Sequence, residues 1–221
     1  MREKVPFRLR GHEVSRIEAF SDVVFGFALT LVVVSLEVPD TFKELMAAMR
    51  RFPAFAICFA ILTWVWHAHH TFFRRYALKD NVTIALNAAL LFMVLLYTFP
   101  LKFLFSAVTG QTHGGANAST LFVIYGLGFA GIFGLFVALY GHAWRQREEL
   151  ELNAVELHDT RTTMMMYGSY VAIGLASALI GAMASPAWMM WAGWMYFLIG
   201  PASAIIGARR GAQRRSLAEA A

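Results

Sequence analysis

Membrane-length apolar runs recur from one end of this chain to the other, and they limit its fold more than any other feature. About 20 apolar residues in a helix cross a hydrocarbon core. Six such stretches can be marked, near 17–38, 53–74, 82–107, 119–142, 163–184 and 187–208. The 221 residues are 58% hydrophobic, against roughly 45–50% for a soluble domain. The chain therefore reads as an all-α polytopic membrane protein with six transmembrane helices. Residues 1–208 form one six-helix domain and 209–221 a short basic tail. The first run is too long, and lacks the small-residue cleavage site, for a cleavable leader.

Punctuation and charge set the boundaries and the orientation. Pro53 is expected in the first turn of the second span, where a missing N–H matters least. Ser185 and Pro186 split the last apolar stretch into two. Four flanks, the N-terminal one, 74–80, 145–161 and the tail, hold fifteen of the nineteen lysines and arginines. The alternate loops hold Lys43, Arg50, Arg51 and Lys102. Cations concentrate on the cytoplasmic side, so both termini are expected there, which requires an even number of spans. Residues 145–161 read as a solvated charged linker. The single cysteine, Cys58, has no internal partner for a disulfide.

The first span is the functional clue, because Arg16, Ser21 and Asp22 sit at its entrance and charges are costly there. Helical spacing puts Phe27, Thr30, Leu31 and Val34 on one stripe, continued by Arg16, Phe20 and Val23. Asp22 and Ser21 point away from it. A stripe of this kind also suits lipid contact or helix packing, and Arg16 also suits snorkelling to the interface. A carboxylate such as Asp22 needs a partner if buried; Arg16 and the histidines of the second span are the candidates.

The second span ends in Trp64, Trp66, His67, His69 and His70. An interfacial tryptophan belt with a polar network, a proton-sensing role and a metal site are all open to these residues. The metal reading lacks carboxylate or thiolate partners in the same segment. Gly126, Ala130 and Gly134 form a small-residue ridge that suits close helix packing, as do Gly174, Ala178 and Ala182. No nucleophile stands beside a base at usable spacing, so no enzyme is expected. The basic residues lie in short flanks, which disfavours nucleic-acid binding.

Arg16-x-x-x-Phe20-Ser21-Asp22 at the opening of the first of six spans resembles the signature of the transmembrane protein 175 family of potassium channels. Trp64-x-x-His67, Asn87 and LLFMVLLYTFP in the third span support the likeness. A single six-span copy resembles the prokaryotic members, which assemble as homotetramers. The resemblance implies that the first span of each subunit lines a central pore. Phe27, Leu31 and Val34 would form stacked apolar rings that constrict it, and Thr30 a ring of hydroxyls favouring potassium. Arg16, Phe20, Ser21 and Asp22 would tie the first span to Trp64, His67, His70 and Asn87. The family usually has a branched aliphatic residue where this chain has Phe27.

The function expected is thus a potassium-permeable channel, a homotetramer in the cell membrane of a prokaryote. Its permeating ion is K+ and it has no cofactor. The chain has no TVGYG-like segment for a carbonyl-lined filter. The alternative is a proton- or metal-coupled secondary transporter using Asp22 and the second-span histidines as titrating groups. A histidine-ligated haem or quinone subunit is a weaker third.

Overall fold

A backbone in hydrocarbon finds no water for its amides, so apolar runs of this length become helices. The computed structural model describes residues 7–33, 40–108, 118–183 and 190–220. The regular elements among them are all helical. In chain order they are α1 (Arg16–Val33), α2 (Phe42–Tyr76), α3 (Asn81–Val108), α4 (Ala118–Arg145), α5 (Ala154–Met183) and α6 (Met190–Trp194), then a 3-10 turn (Met195–Leu198) and α7 (Ile199–Ala220). Among the described residues, four segments are long and apolar enough to cross a membrane: Asn81–Pro100, Ser119–Arg145, Ala154–Met183 and Trp191–Leu217. The bent α2 makes a fifth if its two limbs count as one span. By contrast, α1 carries Arg16, Glu18 and Asp22 within its 18 residues.

Three boundaries differ from the sequence expectation. Pro53 does not open the second span. It lies inside α2, where the limbs Phe42–Arg50 and Phe55–Tyr76 meet at 49°; proline removes an amide donor and crowds the preceding turn. The helix begins earlier because Thr41 caps it, its Oγ1 accepting the Glu44 N–H. Residues 145–161 are not a solvated linker throughout. Asn153 and Glu156 cap α5 reciprocally: Asn153 Oδ1 accepts the Glu156 N–H at 2.9 Å, and Glu156 Oε2 accepts the Asn153 N–H at 3.1 Å. This is a capping box, and it starts α5 well before the apolar run. Finally, the basic tail continues α7. Arg214 Nε donates to both Asp159 carboxylate oxygens at 2.9 Å, and Arg210 Nε donates to Thr162 Oγ1 at 2.9 Å.

The core draws on α1 to α5, and its aromatic part lies between α2, α4 and α5. Gly126 of α4 faces Gly174 of α5 so closely that a Cβ on Gly126 would lie 2.5 Å from the Gly174 carbonyl oxygen. Further along the same two helices, rings fill the space against α2. Phe133, Phe136, Tyr140, Tyr167 and Tyr170 pack with Phe72 and Tyr76 of α2, Phe133 meeting Tyr170 edge-on at 5.0 Å. The Tyr76 hydroxyl donates to Thr160 Oγ1 at 2.7 Å, since that threonine spends its own hydrogen on the Glu156 carbonyl. The helix α1 packs on α2 and α3.

Candidate functional site: the motif helix and its uncovered face

Ser15 starts α1. Its Oγ accepts the Glu18 N–H at 3.3 Å, and Glu18 Oε2 returns the bond to the Ser15 N–H at 2.9 Å. This second capping box fixes the entry of the helix and places a carboxylate at its positive end. From there the helix shows two faces. Ser21, Phe25, Ala28 and Val32 are buried at the spacing of one stripe. Phe20, Val23, Phe27, Thr30 and Leu31 are exposed on the single chain, Phe27 by 63%. The uncovered stripe is the one the sequence singles out; Val34, its last member, lies outside the described residues.

The buried face is held by a short polar chain. Ser21, with no exposed surface, donates to the Ile17 carbonyl at 2.7 Å and accepts Asn87 Nδ2–H at 3.0 Å. Asn87 on α3 therefore turns its carbonyl oxygen to His69 of α2, 2.9 Å away. That oxygen only accepts, so His69 carries its hydrogen on Nε2. Ser21, His69 and Asn87 are all buried, and each bond satisfies a group that would be costly to leave alone. The His69 ring rests between Phe25 and Phe73, at 5.6 and 4.7 Å. Next to Ser21 on α1, Asp22 Oδ1 accepts the Trp66 indole N–H at 2.8 Å, and the Trp66 ring stacks on His70 at 5.5 Å.

The partners on α2 thus differ from those the sequence suggests. Trp66 and His69 hold the motif, not Trp64 and His67. Two residues turn a helix by about 200°, so the neighbours at that offset face the other way. Trp64 packs on Phe133 and Tyr170, at 5.1 and 5.7 Å, and His67 is exposed. A signal for His69 was present: it falls in the stripe Leu62, Val65, His69, Phe72 and Tyr76, all of them buried. Arg16 is exposed and is not the partner of Asp22. Among the described residues no three His, Cys, Asp or Glu side chains form a possible metal site.

Residues 7–15 form a strap that closes over this network. The Arg10 and Gly11 N–H groups both donate to the Arg74 carbonyl, at 3.0 and 3.1 Å. Gly11 suits this close approach, because a Cβ there would lie 3.0 Å from the Phe73 carbonyl oxygen. Between strap, α1 and α2 lies a polar cavity of about 120 Å³, lined by His12, Glu13, Glu18, Asp22, Trp66, His69 and Arg74 among others. On the outer face, Thr30 Oγ1 donates to the Gly26 carbonyl at 2.8 Å. Its hydrogen is used internally, which leaves lone pairs on the exposed side able to accept a hydrogen bond or face a cation.

Residues 16–97 match the family model described as endosomal/lysosomal potassium channel TMEM175. A potassium channel of Marivirga tractuosa is 36% identical, over 91% of this chain and 89% of that protein. One of Streptomyces collinus is 27% identical, over 61% of this chain and 66% of that protein. A crystal structure of a variant of the potassium channel MtTMEM175, bound to a nanobody fusion protein, superposes with a TM-score of 0.80 at 33% identity, covering 95% of this chain and 98% of that one. The lysosomal potassium-selective channel TMEM175 homologue from Chamaesiphon minutus gives a TM-score of 0.53 at 25% identity, covering 83% and 96%. The chain is a member of the TMEM175 family of potassium channels.

Proposed function

We propose that four copies of this chain surround a potassium pathway lined by α1 in the prokaryotic plasma membrane. Phe27, Leu31 and Val34 would narrow the pathway as stacked apolar rings, and Thr30 would present hydroxyl oxygens between them. The Arg16, Phe20, Ser21 and Asp22 motif would stand outside the narrow part and hold α1 against its own α2 and α3. One observation carries this reading. The face of α1 bearing Phe27, Thr30 and Leu31 is uncovered on the single chain, while its opposite face is locked by Ser21, Phe25, Ala28 and Val32.

An uncovered apolar stripe on the helix that carries the family motif suits contact with three further copies around an axis. A ring of phenylalanines can stop ions by excluding water, without a plug. The permeating ion is K+, handled without a cofactor. The test is direct. Purified protein is weighed in detergent by light scattering and then recorded in planar bilayers between potassium and sodium solutions. A tetramer whose reversal potential follows the potassium gradient supports the reading. A monomer, or a current that needs a proton gradient, would move it to the transporter class with Asp22 and the histidines as titrating groups.

A further inference from the structure

A segment without regular structure ahead of a first helix would ordinarily fray, yet the strap 7–15 is tied down on two sides. On α2 its backbone bonds to Arg74 are joined by Phe7, edge-on to Tyr76 at 5.6 Å with the Arg75 guanidinium 4.9 Å from its ring centre. On α5 it meets Glu156. That carboxylate accepts the Arg8 N–H at 3.0 Å and Arg10 Nη1 and Nη2 at 3.0 and 2.9 Å. Arg10 also donates to the Leu150 carbonyl from Nε at 3.1 Å and Nη2 at 2.8 Å. The Glu156 side chain is 1% exposed and that of Arg10 11%.

Capping α5 does not require this arrangement. The cap uses one Glu156 oxygen for one amide, and an exposed glutamate does that equally well. Burying a charge is costly unless its lone pairs are filled, and here the strap fills them. The strap runs directly into Ser15, the first residue of the α1 cap. One turn further along α5, Asp159 receives Arg214 of α7. The α5 start therefore joins the last helix to the entrance of the first.

We propose that Glu156 is a positioning residue for conduction: through Arg10 it pins the strap, and the strap fixes where α1 enters the bundle. The inference rests on α1 lining the ion pathway. Glu156 itself lies apart from the uncovered stripe, so it acts on how long the pathway stays open rather than on what passes.

The experiment compares wild type, Glu156→Gln and Arg10→Lys as full-length channels in planar bilayers, with hydrogen exchange by mass spectrometry on the same preparations. The glutamine keeps an acceptor for the cap but loses the charge. The lysine keeps the charge but loses the fork onto Leu150. The mean open time should fall roughly tenfold in Glu156→Gln, in keeping with the loss of one charge-assisted hydrogen bond. Arg10→Lys should lie between, and unitary conductance and reversal potential should stay at wild-type values. Amides at the start of α1 should exchange roughly tenfold faster in Glu156→Gln while α4 is unaltered. Unchanged open times in either variant would overturn the proposal, as would faster exchange spread evenly over all helices, which marks a merely structural residue. If Glu156→Gln does not assemble, Arg10→Lys decides by the same two readings. If wild type passes no potassium current, the pore reading fails by itself, and the exchange pattern still tells whether Glu156 pins the entrance of α1.

Discussion

At the scale of single residues, the motif owes its hold to direction as much as to charge. Asn87 can serve Ser21 and His69 together because an amide offers a donor on one side and an acceptor on the other. Leucine at that position would leave the buried His69 N–H without an acceptor, at about 1–3 kcal/mol, while Ser21 would keep its bond to the Ile17 carbonyl. Asp22 differs, since Trp66 needs only an oxygen to accept its N–H. Asp22→Asn should therefore change the thermal midpoint of the detergent-solubilised protein little, whereas Asn87→Leu should lower it clearly. Equal midpoints for Asn87→Leu and wild type would mean that the network adds no stability. The sequence made Ser21, Asp22 and Asn87 legible, because polar residues in apolar runs stand out. It did not reveal which side of α2 faces them. Five aromatic or histidine residues crowd Trp64–His70, so an apolar stripe can be drawn through them in more than one phase, and only the buried set around His69 settles it.

At the scale of elements, small residues decide how closely helices approach, and the sequence ridge overstates its own length. Gly126 and Gly174 are in backbone contact, while nothing lies within 4 Å of a Cβ built on Gly134. Gly126→Ala should thus force α4 from α5, costing about 1–3 kcal/mol or more as overpacking. Gly134→Ala should be neutral or gain about 0.5–1 kcal/mol from reduced backbone freedom. Thermal unfolding of the two variants side by side checks this, and equal losses would refute the close approach at Gly126. Helix ends were the least legible feature, because caps rather than hydrophobicity set them at Thr41 and Asn153. A further cap, at Asp80, has a pH signature. Asp80 accepts the N–H groups of Val82 and Thr83, the Thr83 hydroxyl at 2.7 Å and His142 Nε2 at 2.9 Å. Burial pushes its carboxyl up, but the Thr83 bonds and then His142 outweigh this and hold it at about 2. An unfolded aspartate titrates near 3.9, so the folded value is the lower one. The stabilisation is full above about pH 4 and is lost as pH falls from there towards about 2. Wild type should lose thermal stability more steeply than Asp80→Asn across that window; parallel slopes would remove Asp80 as the cause.

At the scale of the whole molecule, the chain concentrates polar bonding at the end where the strap, the α5 start and the α7 tail meet. It leaves one apolar face of α1 without cover. That contrast was half legible: repeated apolar runs gave the membrane class and spacing gave the stripe. The strap escaped notice because it has no periodicity, and Glu156 because it sits among charges that read as solvated. The uncovered face yields the sharpest prediction. If four α1 helices meet around an axis, Phe27 stands where the rings come together, and its size there governs whether water fills the pathway. Phe27→Ala should widen the constriction, raising basal current per channel and weakening discrimination between potassium and sodium. Phe27→Asn should raise current by wetting the ring with less change in width. Both substitutions leave the Ser21 network and the packing of Phe25, Ala28 and Val32 untouched, so thermal midpoints should stay near wild type. Bilayer current per channel at matched protein, together with reversal potentials, distinguishes the outcomes. Unchanged currents with lowered midpoints in both variants would mean that Phe27 packs against another helix or lipid, and the pathway would then have to be sought away from the uncovered face of α1.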